Sequence, residues 1–120
     1  MRLARVIIRV TDLPTSIRFW TEEVGLGLLW STGEFAFLDA GPTQLMLNVA
    51  HDATSDALTE LVFEVDDVRA TFEEMKALGV PFEVELRPVT SDENGRDLLA
   101  AHFSDPDGNL ASITGWVTQG

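Results

Sequence analysis

Cysteine is absent from this 120-residue chain, so neither disulfide bonds nor thiolate chemistry contributes to its fold or function. That absence suits a reducing compartment, and a cytoplasmic location is expected. Basic residues are scarce: 8 Lys and Arg stand against 20 Asp and Glu, a net charge of −12. Such a surface repels a phosphate backbone, which excludes nucleic acid as the expected partner; it favours cationic ligands, and it also serves plain solubility. No apolar run is long enough to cross a bilayer, so no membrane partner is expected. The basic start, Met1-Arg2-Leu3-Ala4-Arg5, has the charge of a signal peptide, but Arg9 and Asp12 interrupt the apolar stretch behind it and no small-residue cleavage site follows. A strand is expected there. Missing too are a glycine-rich phosphate loop of dinucleotide or Walker spacing and any nucleophile motif among the Ser, His and Asp residues.

What is present reads as one globular domain over residues 1–120, with 45% hydrophobic and 23% charged residues. The chain repeats itself. Arg5-Val6-Ile7-Ile8-Arg9-Val10-Thr11-Asp12-Leu13 aligns with Glu60-Leu61-Val62-Phe63-Glu64-Val65-Asp66-Asp67-Val68, and the helix-like stretch after each closes on Val24-Gly25-Leu26 and Leu78-Gly79-Val80. Asp39-Ala40-Gly41-Pro42 begins seven residues before Met46, as Asp105-Pro106-Asp107-Gly108 begins seven before Ser112.

Residue chemistry assigns the elements. Arg5 to Val10 is rich in β-branched residues, a strand. Asp12 caps a helix that tolerates Pro14 in its first turn, carries Leu13, Ile17, Trp20 and Val24 as a buried stripe, and stops at Gly25. Asp67, the stripe Val68, Phe72 and Met75, and Gly79 repeat the scheme. Strands are expected near 28–30, 34–39 and 44–49, and again near 82–87, 98–104 and 110–114, with turns at Gly33, Gly41-Pro42, Asn94-Gly95 and Asp107-Gly108. Each half is therefore β-α-β-β-β: module 1 over about 1–50, a polar linker over about 51–57, module 2 over about 58–117. The polar segment 87–96 is a candidate for a mobile flap over the cleft or for a plain loose loop.

The opening strand with its Asp-Leu ending, Ser16-Ile17-Arg18-Phe19-Trp20, Gly25-Leu26, Phe63-Glu64-Val65-Asp66-Asp67 and Asp105-Pro106-Asp107-Gly108-Asn109 together resemble the vicinal oxygen chelate superfamily over essentially the whole chain. That superfamily includes glyoxalase I, ring-cleaving dioxygenases, fosfomycin-resistance enzymes and bleomycin-binding proteins. The resemblance implies an α+β fold in which paired βαβββ modules form a cupped mixed sheet, usually in a homodimer. It also implies, for the enzymes, a divalent metal on four side chains, whose positions map here to Arg5, Met46, Glu60 and Ser112. The repeat pairs the same positions, 5 with 60 and 46 with 112. Arg5 is a permanent cation without a lone pair, Met46 a soft thioether, Ser112 a weak neutral donor; only Glu60 suits a hard divalent ion. The expectation is thus no metal and no other cofactor, with a divalent metal as the alternative.

Arg5 and Glu60 could instead form a charge pair that anchors a polar ligand, or neutralise one another structurally. His102, on a strand before the Asp-Pro-Asp-Gly turn, is a candidate proton carrier or a hydrogen-bonded structural residue; His51 falls in the linker. Trp20 belongs to the helix stripe, whereas Trp30 and Trp116 are free to stack on planar or cationic ligands or to fill the core. Phe35, Phe37 and Leu47 point to an apolar sheet face. The expected function is metal-independent binding of a small organic molecule, in the manner of bleomycin-type antibiotic sequestration, with Arg5, Met46, Glu60, Ser112, Phe37, Trp30 and His102 lining the site. The alternative is a glyoxalase-like lyase or isomerase, or a dioxygenase, using Glu60 as base or unorthodox ligand and His102 as a second catalytic candidate.

Overall fold

A computed structural model of the chain describes residues 1–51 and 58–118. The chain divides into two units, Met1–Asp56 with Asp105–Asn109, and Ala57–Ser104 with Leu110–Gly120. Apart from His51, which is exposed, the linker expected over 51–57 lies outside the described residues.

Unit 1 runs β1 (Arg5–Val10), α1 (Leu13–Arg18), a π-helical turn (Phe19–Glu23), β2 (Gly27–Ser31), β3 (Phe35–Ala40) and β4 (Thr43–Val49). The strands order as β1-β4-β3-β2, with β1 parallel to β4 and the other pairs antiparallel. The parallel pair needs a long crossover, and α1 supplies part of it. Asp12 starts α1 by accepting the Thr15 N–H at 3.0 Å, and that bond holds its carboxyl below the ordinary value. Val10, Ala36, Leu38, Leu45 and Leu47 are buried on the face of the sheet that meets α1. The expected stripe is shifted by the π turn. Val24 and Gly25 donate five residues back, to Phe19 and Trp20 carbonyls, and the wider turn brings Phe19 and Trp20 inward together. Their rings meet edge to face at 5.2 Å. Ser16 and Phe19 are buried with Leu13 and Trp20, while Ile17 and Val24 are only half-buried.

Unit 1 is completed from far along the chain. Asp107 accepts the N–H and hydroxyl of Thr11 at 3.1 and 2.7 Å, and the Asn109 amide donates to the Arg9 carbonyl at 3.1 Å. Asp105 organises this turn, accepting the N–H groups of Asp107 and Asn109 and the Asn109 side-chain amide. Burial pushes its carboxyl above the ordinary value in spite of those bonds.

Unit 2 runs β5 (Glu60–Glu64), α2 (Val68–Ala77), β6 (Phe82–Ser91), β7 (Arg96–Ser104) and β8 (Leu110–Thr118), with sheet order β5-β8-β7-β6. Again the outer pair, β5 and β8, is parallel and the rest antiparallel. Asp67 caps α2 through the Ala70 N–H at 3.0 Å, and Val68, Phe72 and Met75 are buried as the stripe requires. The rings of Phe72, Phe82 and Phe103 meet in sequence at 4.8 and 5.6 Å, the first pair tilted and the second edge to face. A side chain at Gly115 would bring a Cβ within 2.7 Å of the Val68 Cβ, so only glycine lets α2 approach β8 this closely. Both helices end on the glycines anticipated, Gly25 and Gly79, at φ of 99° and 102°.

The flap or loose loop expected over 87–96 is instead a hairpin arm. β6 continues through Ser91, β7 begins at Arg96, and the four residues between are closed by Asp92. Its carboxylate accepts the Asn94 and Arg96 N–H groups and pairs with the Arg96 guanidinium at 2.7 Å, while that guanidinium lies over Trp116 at 4.9 Å. Polar composition read as loop here because an exposed arm needs no apolar face.

Candidate functional site

Side chains alternate across a strand, so burial of one set against the helix assigns the other set to the open face of each sheet. In unit 1 the register runs Ile7 opposite Met46, Met46 opposite Phe37, and Phe37 opposite Trp30. Four apolar side chains thus form one row across all four strands. A bulge between Leu28 and Trp30 re-aims β2 and sets the Trp30 indole parallel to the Phe37 ring, at 4.4 Å and 13°. Trp30 is 55% exposed and Ile7 48% exposed, large values for such residues. Arg5 is exposed on the same alternation of β1 as Ile7, two residues away. Of the residues expected here, the structure brings Met46, Phe37 and Trp30 together; Ile7 was missed, although parallel pairing of β1 with β4 implies its place beside Met46.

In unit 2 the equivalent register is Val62, Ser112, His102 and Val84. Glu60 opens β5 on the alternation of Val62. Its Oε1 lies 2.6 Å from His102 Nδ1, with the two side chains 35% and 31% exposed. A carboxylate only accepts, so Nδ1 carries a proton, and in the neutral ring Nε2 is then the nitrogen with the lone pair. Because β8 separates β5 from β7, this bond spans two strand spacings, about 9.5 Å of sheet. It passes over the face that carries Ser112, which is 1% exposed. The carboxylate offered on sequence grounds to Arg5 is thus closed on His102 within its own sheet. Trp116 shares the alternation of Ser112 at the far end of β8, beneath Arg96. Trp20 is core.

The donor chemistry at positions 5, 46, 60 and 112 does not fit a divalent metal. In unit 1 the two residues are a guanidinium and a thioether; in unit 2 they are a buried hydroxyl and a carboxylate with one oxygen bonded to imidazole. Among the described residues no three His, Asp or Glu side chains gather as a metal cluster. A groove of about 180 Å³ runs along α1 and the π turn, lined by Thr15, Arg18, Phe19, Glu22, Glu23 and Pro106. It contains none of the residues above. No helix among the described residues is long and apolar enough to cross a membrane.

Two four-stranded mixed sheets of β-α-β-β-β order define the α+β class of the glyoxalase and bleomycin-resistance proteins. A crystal structure from Alicyclobacillus acidocaldarius, of a glyoxalase/bleomycin resistance protein/dioxygenase, superposes with a TM-score of 0.77 over 96% of this chain and 91% of its own, at 17% identity. The sequence model of the Glyoxalase/Bleomycin resistance protein/Dioxygenase superfamily matches residues 2–113, and the chain belongs to that family. Among its relatives, a probable lactoylglutathione lyase of Vibrio cholerae is 30% identical over 126 residues, covering 93% of this chain and 88% of the relative. The uncharacterized protein YraH of Bacillus subtilis is 28% identical over 129 residues, covering 94% and 97%.

Proposed function

We propose that the chain binds a small, planar organic molecule without the help of a metal, sequestering a cationic antibiotic or metabolite as a cytoplasmic homodimer. The observation that carries this reading is the apolar row Ile7–Met46–Phe37–Trp30, exposed at Ile7 and Trp30 and half-buried between them, with its stacked indole and phenyl rings. A flat aromatic pair offers dispersion contact to a planar ligand, and its π face attracts cationic rings. A net charge of −12 raises the local concentration of cations around such a surface. The thioether of Met46 adapts to different ligand shapes.

Titration with planar cationic dyes, followed by tryptophan fluorescence and calorimetry on the chain and on Trp30→Ala, tests the reading. Binding that survives exhaustive chelation and weakens about tenfold (1.4 kcal/mol) in Trp30→Ala is expected. Binding that requires an added metal, or none at all, overturns it. Light scattering tests the dimer.

The likeness to a probable lactoylglutathione lyase favours a second reading, an isomerase or lyase with Glu60 as base. Turnover of a 2-oxoaldehyde–thiol adduct that is abolished by Glu60→Gln would put this reading first.

A further inference from the structure

The Glu60–His102 pair goes unused by the aromatic row, and its construction is specific. It joins two strands that are not neighbours, it sits on an open face, and it leaves one ring nitrogen committed and the other available. We propose that this pair is a proton-accepting dyad that selects ligands bearing an acidic, neutral hydroxyl, a phenol or an enol, and this deepens the small-molecule reading on which it rests.

The Nδ1–H bond to Glu60 fixes ring orientation and the tautomer of the neutral ring, in which Nε2 is the acceptor. When a ligand hydroxyl gives its proton to Nε2, the O–H bond breaks, an N–H bond forms, and the oxygen keeps the electron pair as phenolate or enolate. The imidazolium then lies between two anions, the ligand oxygen on Nε2 and the Glu60 carboxylate on Nδ1, and both hydrogen bonds become charge-assisted. No further reactant is required. Val62, 58% exposed and in register with Ser112, offers apolar contact to a ring whose hydroxyl reaches Nε2. Ser112 is too buried to act as a nucleophile from solvent, which leaves proton transfer as the chemistry of this face.

The test compares 4-nitrophenol with its methyl ether, 4-nitroanisole, on the full chain and on His102→Gln and Glu60→Gln, at a pH below the phenol's own pKa. The dyad requires that the phenol bind at least about tenfold tighter than the ether and that bound phenol show the phenolate absorption band. His102→Gln should remove the band and reduce the phenol to the affinity of the ether, and Glu60→Gln should weaken the band. Binding of the ether, unchanged in both variants, reports that they remain folded. Equal binding of phenol and ether, or a phenolate band that persists in His102→Gln, overturns the dyad while the small-molecule reading stands. If neither probe binds but cationic dyes still do through Trp30, the dyad alone is overturned; if the dyes fail as well, both readings are.

Discussion

The two sheets share strand order, register and the face that meets the helix, yet their open faces have diverged. Where unit 1 places Ile7, Met46, Phe37 and Trp30, unit 2 places Val62, Ser112, His102 and Val84. The helix-facing positions remain apolar in both, because each must bury the stripe of its helix. The difference teaches where chemistry can be written on a duplicated scaffold. Positions committed to packing tolerate little besides volume-conserving change, whereas the far side of the same strands is free to become an aromatic platform in one copy and an imidazole–carboxylate pair in the other.

Core deletions should be the severest and should treat the two units alike. Trp20→Ala in unit 1 and Phe103→Ala in unit 2 each remove a fully buried ring, at a cost of about 3–5 kcal/mol measured by urea denaturation. A loss confined to one of them would break the equivalence of the packed faces. Gly115→Ala comes next, at about 1–3 kcal/mol, since the new methyl collides with Val68. Unit 1 carries Val49 at the matching register, so Val49→Ala should cost less than adding the single methyl at Gly115. Trp30→Ala should cost only about 0.5–1.5 kcal/mol, the stacking on Phe37, while it impairs binding, which separates the open face from the packed one.

The smallest effects concern two carboxylates of unit 1 that are shifted in opposite directions. Asp12 is held low by the Thr15 N–H, so its contribution is present above the unfolded-state pKa of about 3.9 and is lost as pH falls through the lower folded value. Asp105 is pushed up by burial, so the folded state binds its proton more tightly; its contribution is present below about pH 3.9 and is lost as pH rises through the higher folded value. Asp12→Asn should therefore flatten the acid side of the stability–pH curve and Asp105→Asn the side above it. Thermal melts across the acid range measure both, and the same sign of change in the two variants would contradict the assignment.

Topology was legible because its signals are local or repeated: Asp12 and Asp67 as caps, Gly25 and Gly79 as stops, and a self-alignment that put position 5 with 60 and 46 with 112. The π turn was not, since a stripe of Leu13, Ile17, Trp20 and Val24 assumes 3.6 residues per turn and Phe19–Glu23 departs from it. The hairpin arm escaped because exposed strands lack apolar alternation. At the site, His102 and Glu60 could each be singled out by chemistry, but their bond depends on β8 lying between β5 and β7 and on which residue faces which across three strands. That information is non-local. The stacking of Trp30 on Phe37 likewise needs a bulge in β2 that no turn residue announces.

The Asp-Pro-Asp-Gly-Asn turn has one more implication. Its five residues are encoded inside the second repeat, yet Asp107 and Asn109 spend their polar groups on Thr11 and Arg9 of the first. The repeats are therefore not interchangeable cassettes. A chain assembled from two first halves would leave the end of its opening strand unlatched, and any recombination that shortens the excursion between β7 and β8 would be felt about a hundred residues upstream.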